Sequence, residues 1–204
     1  MIGSLARSFA REEPAAPEPF NAPLFRSLIE RIPEDERWVV LDLGAVCPTV
    51  ISLFGGHRCR LDIADVGQGL DTLKEPMEPA DLRKAAESLL PELHAEAADL
   101  VLCWDTLNYL NRDALTALMT RIEDRCRPGT LVHALICYSH PQMPVEPGHY
   151  VPQDDGSLVN VTNCTEQRDA PRYSPEDLTL SMPGYTIDRA MLLGNGMQEF
   201  LFRL

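Results

Sequence analysis

The sequence predicts a single α/β domain in which helices cover both faces of a doubly wound, mostly parallel sheet. Short apolar runs with the length of buried strands alternate with segments whose apolar residues recur at helical spacing. The chain has 204 residues, of which 45% are hydrophobic and 24% charged, an ordinary composition for one globular domain. Near the C-terminus, two apolar runs flank Gly194-Asn195-Gly196, which predicts that the sheet ends in an antiparallel hairpin.

The first part of the chain divides into an arm and the beginning of the domain. Residues 1–22 mix prolines with acids and alanines, so we expect a flexible arm before a domain over 23–204. Apolar residues at helical spacing from Leu24 to Ile32 predict the first helix. The run Trp38–Leu43 predicts the first sheet strand, and a short helix is expected over 48–54.

The middle of the chain continues the alternation. A second strand is expected at Cys59–Ile63, and a helical stripe runs from Leu82 to Leu93. Asp99–Trp104 reads as a buried strand, followed by a helix over 111–126 and a strand over 130–138. Right-handed crossovers between such strands make the sheet parallel.

A long insertion separates this alternation from the terminal hairpin. Residues 139–173 contain five prolines and the turn sequence Asp154-Asp155-Gly156. Such a segment is typical either of a lid that contacts substrate or of a passive surface loop. Ser174 followed by a proline and acids predicts a helix start with a capping box. The hairpin strands are expected over 185–193 and 197–202.

Composition disfavours several classes of partner. The net charge is −13, and such a surface repels nucleic-acid backbones and anionic membranes. No apolar run is long enough for a membrane span or a signal peptide, so a cytoplasmic protein is expected. The six cysteines lack CxxC spacing and the five histidines lack HxH or HExxH spacing. Reduced, buried thiols and no metal site are therefore expected.

Acids that end strands are the candidate ligand-binding residues. Asp42 ends the first strand, where its carboxylate can pair with a cationic ligand group, and Gly44 lets backbone approach a ligand closely. An acid about 20 residues further on can grip two ribose hydroxyls. Asp62 and Asp65 both lie near that distance, and because side chains alternate along a strand they need not face one ligand. Each acid also has a structural interpretation, as a helix cap for Asp42 or Asp105 and as a solvated turn for the other two.

The order of elements resembles that of the class I S-adenosylmethionine-dependent methyltransferases. The resemblance covers about residues 35–204 and rests on VVLDLG, LDIAD, ADLVLCWDTLNYL and the C-terminal hairpin sequence. It implies S-adenosylmethionine as cofactor, with Asp42, Gly44, Asp62, Asp65 and Asp105 in its site. It narrowly favours Asp62 for the ribose, because LDI resembles the usual strand ending of the family. The third strand of the family is missing or short, since no acid-ended strand is evident between 66 and 98.

The chain departs from the family pattern at the glycine-rich turn. Val46 and Pro48 replace the second and third glycines, so a branched side chain and an imino acid stand where backbone should meet ligand. Two functions therefore remain open. One is a methyltransferase for a small molecule or a protein. The other is a non-catalytic relative that has lost cofactor binding and contacts a protein partner through the arm or the acidic surface.

No side chain in the sequence stands out as a general base. His140 and His149 lie on the insertion and are the candidates for that role. Trp104 and Tyr109 are expected in the core or as walls of the pocket.

Overall fold

A computed structural model describes residues 17–33 and 35–204. Most of the predicted arm, residues 1–16, lies outside the described residues. Strand β1 (Phe20–Asn21) pairs antiparallel with Leu158 and Ser157, and Ala22 is buried. The Phe20 ring meets the ring of Tyr150 edge-on, with 6.2 Å between centroids. Residues 20–22, which the sequence assigned to the arm, therefore pack as part of the domain.

The remaining elements follow the predicted order, with several boundaries moved. They are α1 (Pro23–Ile29), β2 (Trp38–Asp42), α2 (Pro48–Gly55), β3 (Cys59–Ile63), α3 (Pro79–Ser88), β4 (Ala98–Trp104), α4 (Arg112–Glu123), β5 (Cys126–Cys137), β6 (Gln142–Pro144), β7 (Tyr150–Pro152), β8 (Ser157–Asn160), β9 (Gln167–Asp169), α5 (Pro175–Ser181), β10 (Thr186–Leu192) and β11 (Met197–Arg203). Short 3₁₀ helices occupy Val66–Leu73 and Thr106–Tyr109.

The central sheet has six strands in the order β10-β11-β5-β4-β2-β3. Strands β2 to β5 are parallel, and β11 runs antiparallel to both β5 and β10. The predicted doubly wound fold with a C-terminal hairpin is confirmed, although the antiparallel strand lies inside the sheet and β10 forms the edge. Residues 66–97 contribute a 3₁₀ helix and α3 but no strand, so the third strand of the family is missing.

The core has two parts because successive strand residues face opposite sides of the sheet. Val39, Leu41 and Val101 pack with α3, α4 and α5 on one face. Val40 and Leu100 pack with α1 and α2 on the other. No helix among the described residues has the length and apolar character needed to cross a membrane.

Prolines and local caps explain the boundaries. Helix α3 begins at Pro79, a favourable first position, and ends before Leu90, which precedes a proline and so disfavours helix. Asn111 caps α4 by accepting a hydrogen bond from the Ala114 amide at 2.9 Å. The predicted capping box at Ser174 forms with Asp177.

One predicted boundary is wrong at the start of β5. Pro128 and Gly129, which precede the strand predicted over 130–138, lie within β5. Gly129 has φ of +93°, and its amide donates to the Leu204 carbonyl at 2.7 Å. A contact with the chain's last residue therefore extends β5 toward its N-terminal side.

The insertion is structured rather than a loop. Strands β7 and β8 form the hairpin predicted around Asp154-Asp155-Gly156, and β1 adds a third strand to it. Strands β6 and β9 form a second small antiparallel pair. Residues 145–150 of the insertion reach the C-terminal end of β4, where the candidate site lies.

Candidate cofactor site

A cleft of about 730 Å³ opens at the C-terminal edge of the parallel strands. Its walls come from the turn after β2, the 3₁₀ helix Val66–Leu73 and insertion residues 145–149. Ligands of open α/β sheets bind at this edge, and small-molecule sites span roughly 300–1,000 Å³. Position and size therefore both suit a small ligand.

Asp42 lies buried at one end of this region, already bonded to the protein. Its Oδ1 accepts hydrogen bonds from the Gly44 amide at 2.8 Å and from Trp104 Nε1 at 2.6 Å. Burial raises the pKa of Asp42 to about 6, and the two donors oppose that rise. No described residue donates to the other oxygen, Oδ2, but Asp42 is 1% exposed and borders a small cavity rather than the open cleft.

The indole of Trp104 covers Gly44. A Cβ built on Gly44 would stand 2.7 Å from Trp104 Cδ1, closer than atoms can pack. The indole is 3% exposed and stacks on the ring of Tyr150, with 5.8 Å between centroids and 10° between planes. The space that a glycine provides in this turn is thus filled by the chain's own side chain.

The predicted obstruction by Val46 is wrong. Val46 is 58% exposed and does not line the cleft. Pro48 takes the first position of α2, as its fixed φ favours. Trp104, which the sequence indicated only as core or pocket wall, is the residue that limits access to Gly44.

The two acids weighed for the ribose lie in different surroundings. Asp65 lines the cleft, has φ of +45° and precedes the 3₁₀ helix, where its Oδ2 accepts from Gln68. Asp62 instead bonds the Nε of Arg60 at 3.0 Å and lies outside the cleft. Of the two acids, Asp65 is the one that lines the cleft.

Asp105 holds the insertion in place. Both of its oxygens accept from the Gly148 amide at 3.0 Å, and Oδ2 also accepts from the Tyr150 hydroxyl at 3.1 Å. Burial raises the pKa of Asp105 to about 6, against the effect of these donors. Asp105 does not line the cleft, so its side chain supports the site without facing it.

The other walls distinguish the remaining candidates. Tyr109 lines the cleft, and its hydroxyl donates to the Glu146 carbonyl at 2.6 Å, a second attachment of the insertion. His149 also lines the cleft. His140 lies elsewhere, with Nε2 3.1 Å from the Asn195 carbonyl oxygen. Only one of the two histidines considered as a base therefore reaches the site.

The structure gives little support for a metal site or a reactive thiol. Within the described ranges, no three or more histidine, cysteine or acidic side chains come together as a metal would require. The six cysteines form no disulfide. Burial raises the pKa of Cys59 to about 11 and that of Cys126 to about 12, which keeps these thiols protonated and unreactive at neutral pH.

Comparisons with known proteins identify the fold. No family model matches the sequence, and no curated protein matches it. The glycopeptide N-methyltransferase MtfA, solved with S-adenosyl-L-methionine, is 15% identical, with a TM-score of 0.50 over 89% of this chain and 92% of that one. The PH0226 protein from Pyrococcus horikoshii OT3 is 13% identical, with a TM-score of 0.50 over 90% and 92% of the two chains. The chain therefore has the fold of the class I S-adenosylmethionine-dependent methyltransferases.

Proposed function

We propose that the protein is an S-adenosylmethionine-dependent methyltransferase that binds its cofactor in the cleft beside Gly44. The acceptor is a small molecule or a protein side chain. The observation that carries the proposal is an open cleft at the C-terminal strand edge with Asp65 on its wall. A carboxylate in this position can accept hydrogen bonds from both ribose hydroxyls of a nucleoside.

The charge of the cleft also favours this cofactor. Asp65, Asp71 and Glu146 line it together with a single lysine, Lys74. An acidic wall attracts the sulfonium and ammonium groups of S-adenosylmethionine and repels the phosphates of a dinucleotide. The shared fold agrees, since MtfA was solved with S-adenosyl-L-methionine and with S-adenosyl-L-homocysteine.

The residues of the cleft suit the nucleoside half of the cofactor better than its amino-acid half. Leu43, Leu70 and Tyr109 offer apolar and aromatic surface for a nucleoside. The space over Gly44, by contrast, holds the Trp104 indole. This observation favours the second candidate function, a non-catalytic protein of the same fold that no longer binds the cofactor.

The bound cofactor would supply the methyl group, and the chain would supply alignment and shelter from water. Asp105 and Tyr109 hold insertion residues 146–150 beside the cleft. His149 is the side chain on the wall that can accept a proton from an acceptor whose nucleophile must be deprotonated.

Ligand-induced stabilisation tests the proposal. S-adenosylhomocysteine at 100 times its Kd adds about 2.7 kcal/mol, which for a chain of this length raises Tm by roughly 5–10 °C. We expect this shift in the wild-type protein. If neither S-adenosylmethionine nor S-adenosylhomocysteine moves Tm at millimolar concentration, the non-catalytic function replaces the enzymatic one.

Two neighbouring acids provide a matched pair of variants. Asp65→Ala removes the carboxylate on the cleft wall, and we expect it to weaken S-adenosylhomocysteine binding at least tenfold by calorimetry. Asp62→Ala removes a similar acid that pairs with Arg60 outside the cleft, and we expect unchanged affinity. A larger loss in Asp62→Ala than in Asp65→Ala would refute the assignment of Asp65 to the ribose.

A further inference from the structure

We propose that Trp104 closes the amino-acid end of the cofactor site and that a ligand with an α-amino group must displace its indole to bind. The inference rests on the proposed function and concerns how the same site admits its ligand. In the closed arrangement the indole packs over Gly44 and bonds to Asp42. A ligand with an amino-acid end can bind fully only after the indole leaves that carboxylate.

Two carboxylates orient the ligand along the cleft. Asp65 lies on the wall near the 3₁₀ helix and suits the ribose hydroxyls. Asp42 lies beside Gly44, where it borders a small cavity together with His149 and Tyr150. In the proposed binding mode the ribose contacts Asp65 and the cationic amino-acid end of the cofactor points toward Asp42.

The bond between Trp104 and Asp42 can be displaced by such a ligand. The indole N–H is a neutral donor, at 2.6 Å from Asp42 Oδ1. An ammonium group makes a charge-assisted bond to a carboxylate, and such bonds are roughly twice as strong as those between neutral groups. A ligand with an α-amino group can thus compete with the indole, whereas one that lacks this group has nothing to replace the bond.

The backbone at Trp104 indicates that its position depends on these contacts. Trp104 has φ of +48°, a left-handed conformation that is rare for a bulky residue. Such strain persists only where the surroundings impose it, and it concentrates at ligand sites. At Trp104 the surroundings are the bond to Asp42, the stack on Tyr150 and the rings of Phe25 and His133 at 5.4 and 6.2 Å between centroids.

Two ligands separate this role from general cofactor binding. S-adenosylhomocysteine and 5′-methylthioadenosine share the adenosine and the thioether sulfur, and only the first carries the amino-acid end. We expect 5′-methylthioadenosine to bind with Trp104 in place. The affinity for S-adenosylhomocysteine is lowered in proportion to the small fraction of molecules in which the indole has moved.

Intrinsic fluorescence reports the movement directly. The chain has two tryptophans, so the Trp38→Phe variant leaves Trp104 as the sole emitter. We expect S-adenosylhomocysteine to move the emission maximum to longer wavelength, because the buried indole becomes solvated. With 5′-methylthioadenosine we expect the wavelength of that maximum to stay unchanged.

Trp104→Phe tests whether the bond from Trp104 to Asp42 lowers the affinity for S-adenosylhomocysteine. The variant keeps an aromatic ring against Tyr150 and removes the donor to Asp42. We expect S-adenosylhomocysteine to bind about tenfold tighter to this variant, with less than a twofold change for 5′-methylthioadenosine. Tyr150→Phe is the matched control: it keeps the stack, loses the bond to Asp105, and should leave the ratio of the two affinities unchanged. Circular dichroism verifies that each variant is folded.

The outcomes distinguish this inference from the proposed function. If S-adenosylhomocysteine binds wild type with a fixed emission maximum, and Trp104→Phe changes both affinities equally, Trp104 does not control access and the methyltransferase function stands. If Trp104→Phe binds 5′-methylthioadenosine but still not S-adenosylhomocysteine, the indole is not what closes the amino-acid end. If neither ligand binds any variant, both proposals fail.

Discussion

The sequence pattern and the packing give different reasons for a glycine at position 44. The acid-x-Gly pattern predicts a turn in which the backbone can approach a ligand closely. In the structure the glycine accommodates the indole of Trp104, which also bonds Asp42. Trp104 lies 62 residues beyond Asp42 in the sequence, and no local pattern identifies it as the partner.

Gly44→Ala tests this packing. The new methyl group would lie 2.7 Å from the indole, so we expect the free energy of unfolding to fall by about 1–3 kcal/mol. Gly55→Ala is the control, because a Cβ there meets nothing within 4 Å and lies at the end of α2. We expect that variant to be neutral or slightly stabilised. Equal unfolding midpoints in urea for the two variants would contradict a close contact between Gly44 and Trp104.

Sequence periodicity also does not show which of Asp62 and Asp65 faces the cleft. Alternation along a strand predicts that the two need not share a face, but it does not say which one reaches the cleft. Strand β3 ends at Ile63, and Asp65 then takes a left-handed conformation that turns the chain. This change of direction places Asp65 on the wall of the cleft. Residues other than glycine rarely adopt the left-handed conformation that it requires.

At the scale of elements, helix α1 depends on a carboxylate from the far end of the chain. Its N-cap residue, Ala22, has no side-chain cap. Glu199 of β11 instead accepts hydrogen bonds from the amides of Leu24 at 2.9 Å and Phe25 at 2.7 Å. His133 Nε2 lies 2.9 Å from the same carboxylate. A negative group at a helix N-terminus is favourable, and here it fixes α1 to the sheet.

Glu199→Ala should therefore be severely destabilising. The variant leaves two helix amides and His133 without their buried acceptor, so we expect a loss of about 3 kcal/mol or more. Asn111→Ala removes an ordinary cap of α4 and should cost about 1 kcal/mol. Urea unfolding of the two variants gives the comparison. A Glu199→Ala protein as stable as Asn111→Ala would mean that α1 is held by apolar packing alone.

The length of an element decided whether the sequence predicted it. Strands β2 and β4 are continuous apolar runs, and the stripes of α3 and α4 span several turns. Both kinds of pattern are visible without tertiary information. Strands β1, β7 and β9 have two or three residues each, too few to show a period. They exist because long-range partners complete their hydrogen bonds.

At the scale of the whole molecule, the alternation of elements predicted the fold class, and the resemblance to the methyltransferases supplied the expectation of a missing third strand. The path of the insertion could not be predicted. It depends on Asp105 and Tyr109, whose partners Gly148 and Glu146 lie in a segment without apolar periodicity. A third of the residues that line the cleft come from that segment.

The stability of the whole protein should depend on pH through Asp42 and Asp105. Their pKa values are raised to about 6, against about 3.9 in an unfolded chain. Between these values the native state holds protons that the unfolded chain has released. The stabilisation from these acids is therefore fully present below about pH 4 and is lost as pH rises to about 6.

Asp105→Asn isolates this effect, because the amide does not titrate. We expect the Tm of the wild type to fall more steeply than that of the variant between pH 4 and 6. The difference amounts to about 2 kcal/mol. Other acids and the overall negative charge contribute equally to both proteins, so they cancel in the comparison. Parallel Tm profiles across this range would show that Asp105 does not carry a raised pKa.

Because the third strand of the family is absent, β3 is an edge strand of the sheet, and within residues 17–33 and 35–204 it is hydrogen-bonded to β2 alone. Such an edge exposes unpaired amides and carbonyls that an extended chain from another molecule can join. Arg60 carries ion pairs to Asp62 and Glu96 along this edge, and charges there make such lateral addition costly. Asp62 thus contributes a charge that disfavours the pairing of another chain at this edge.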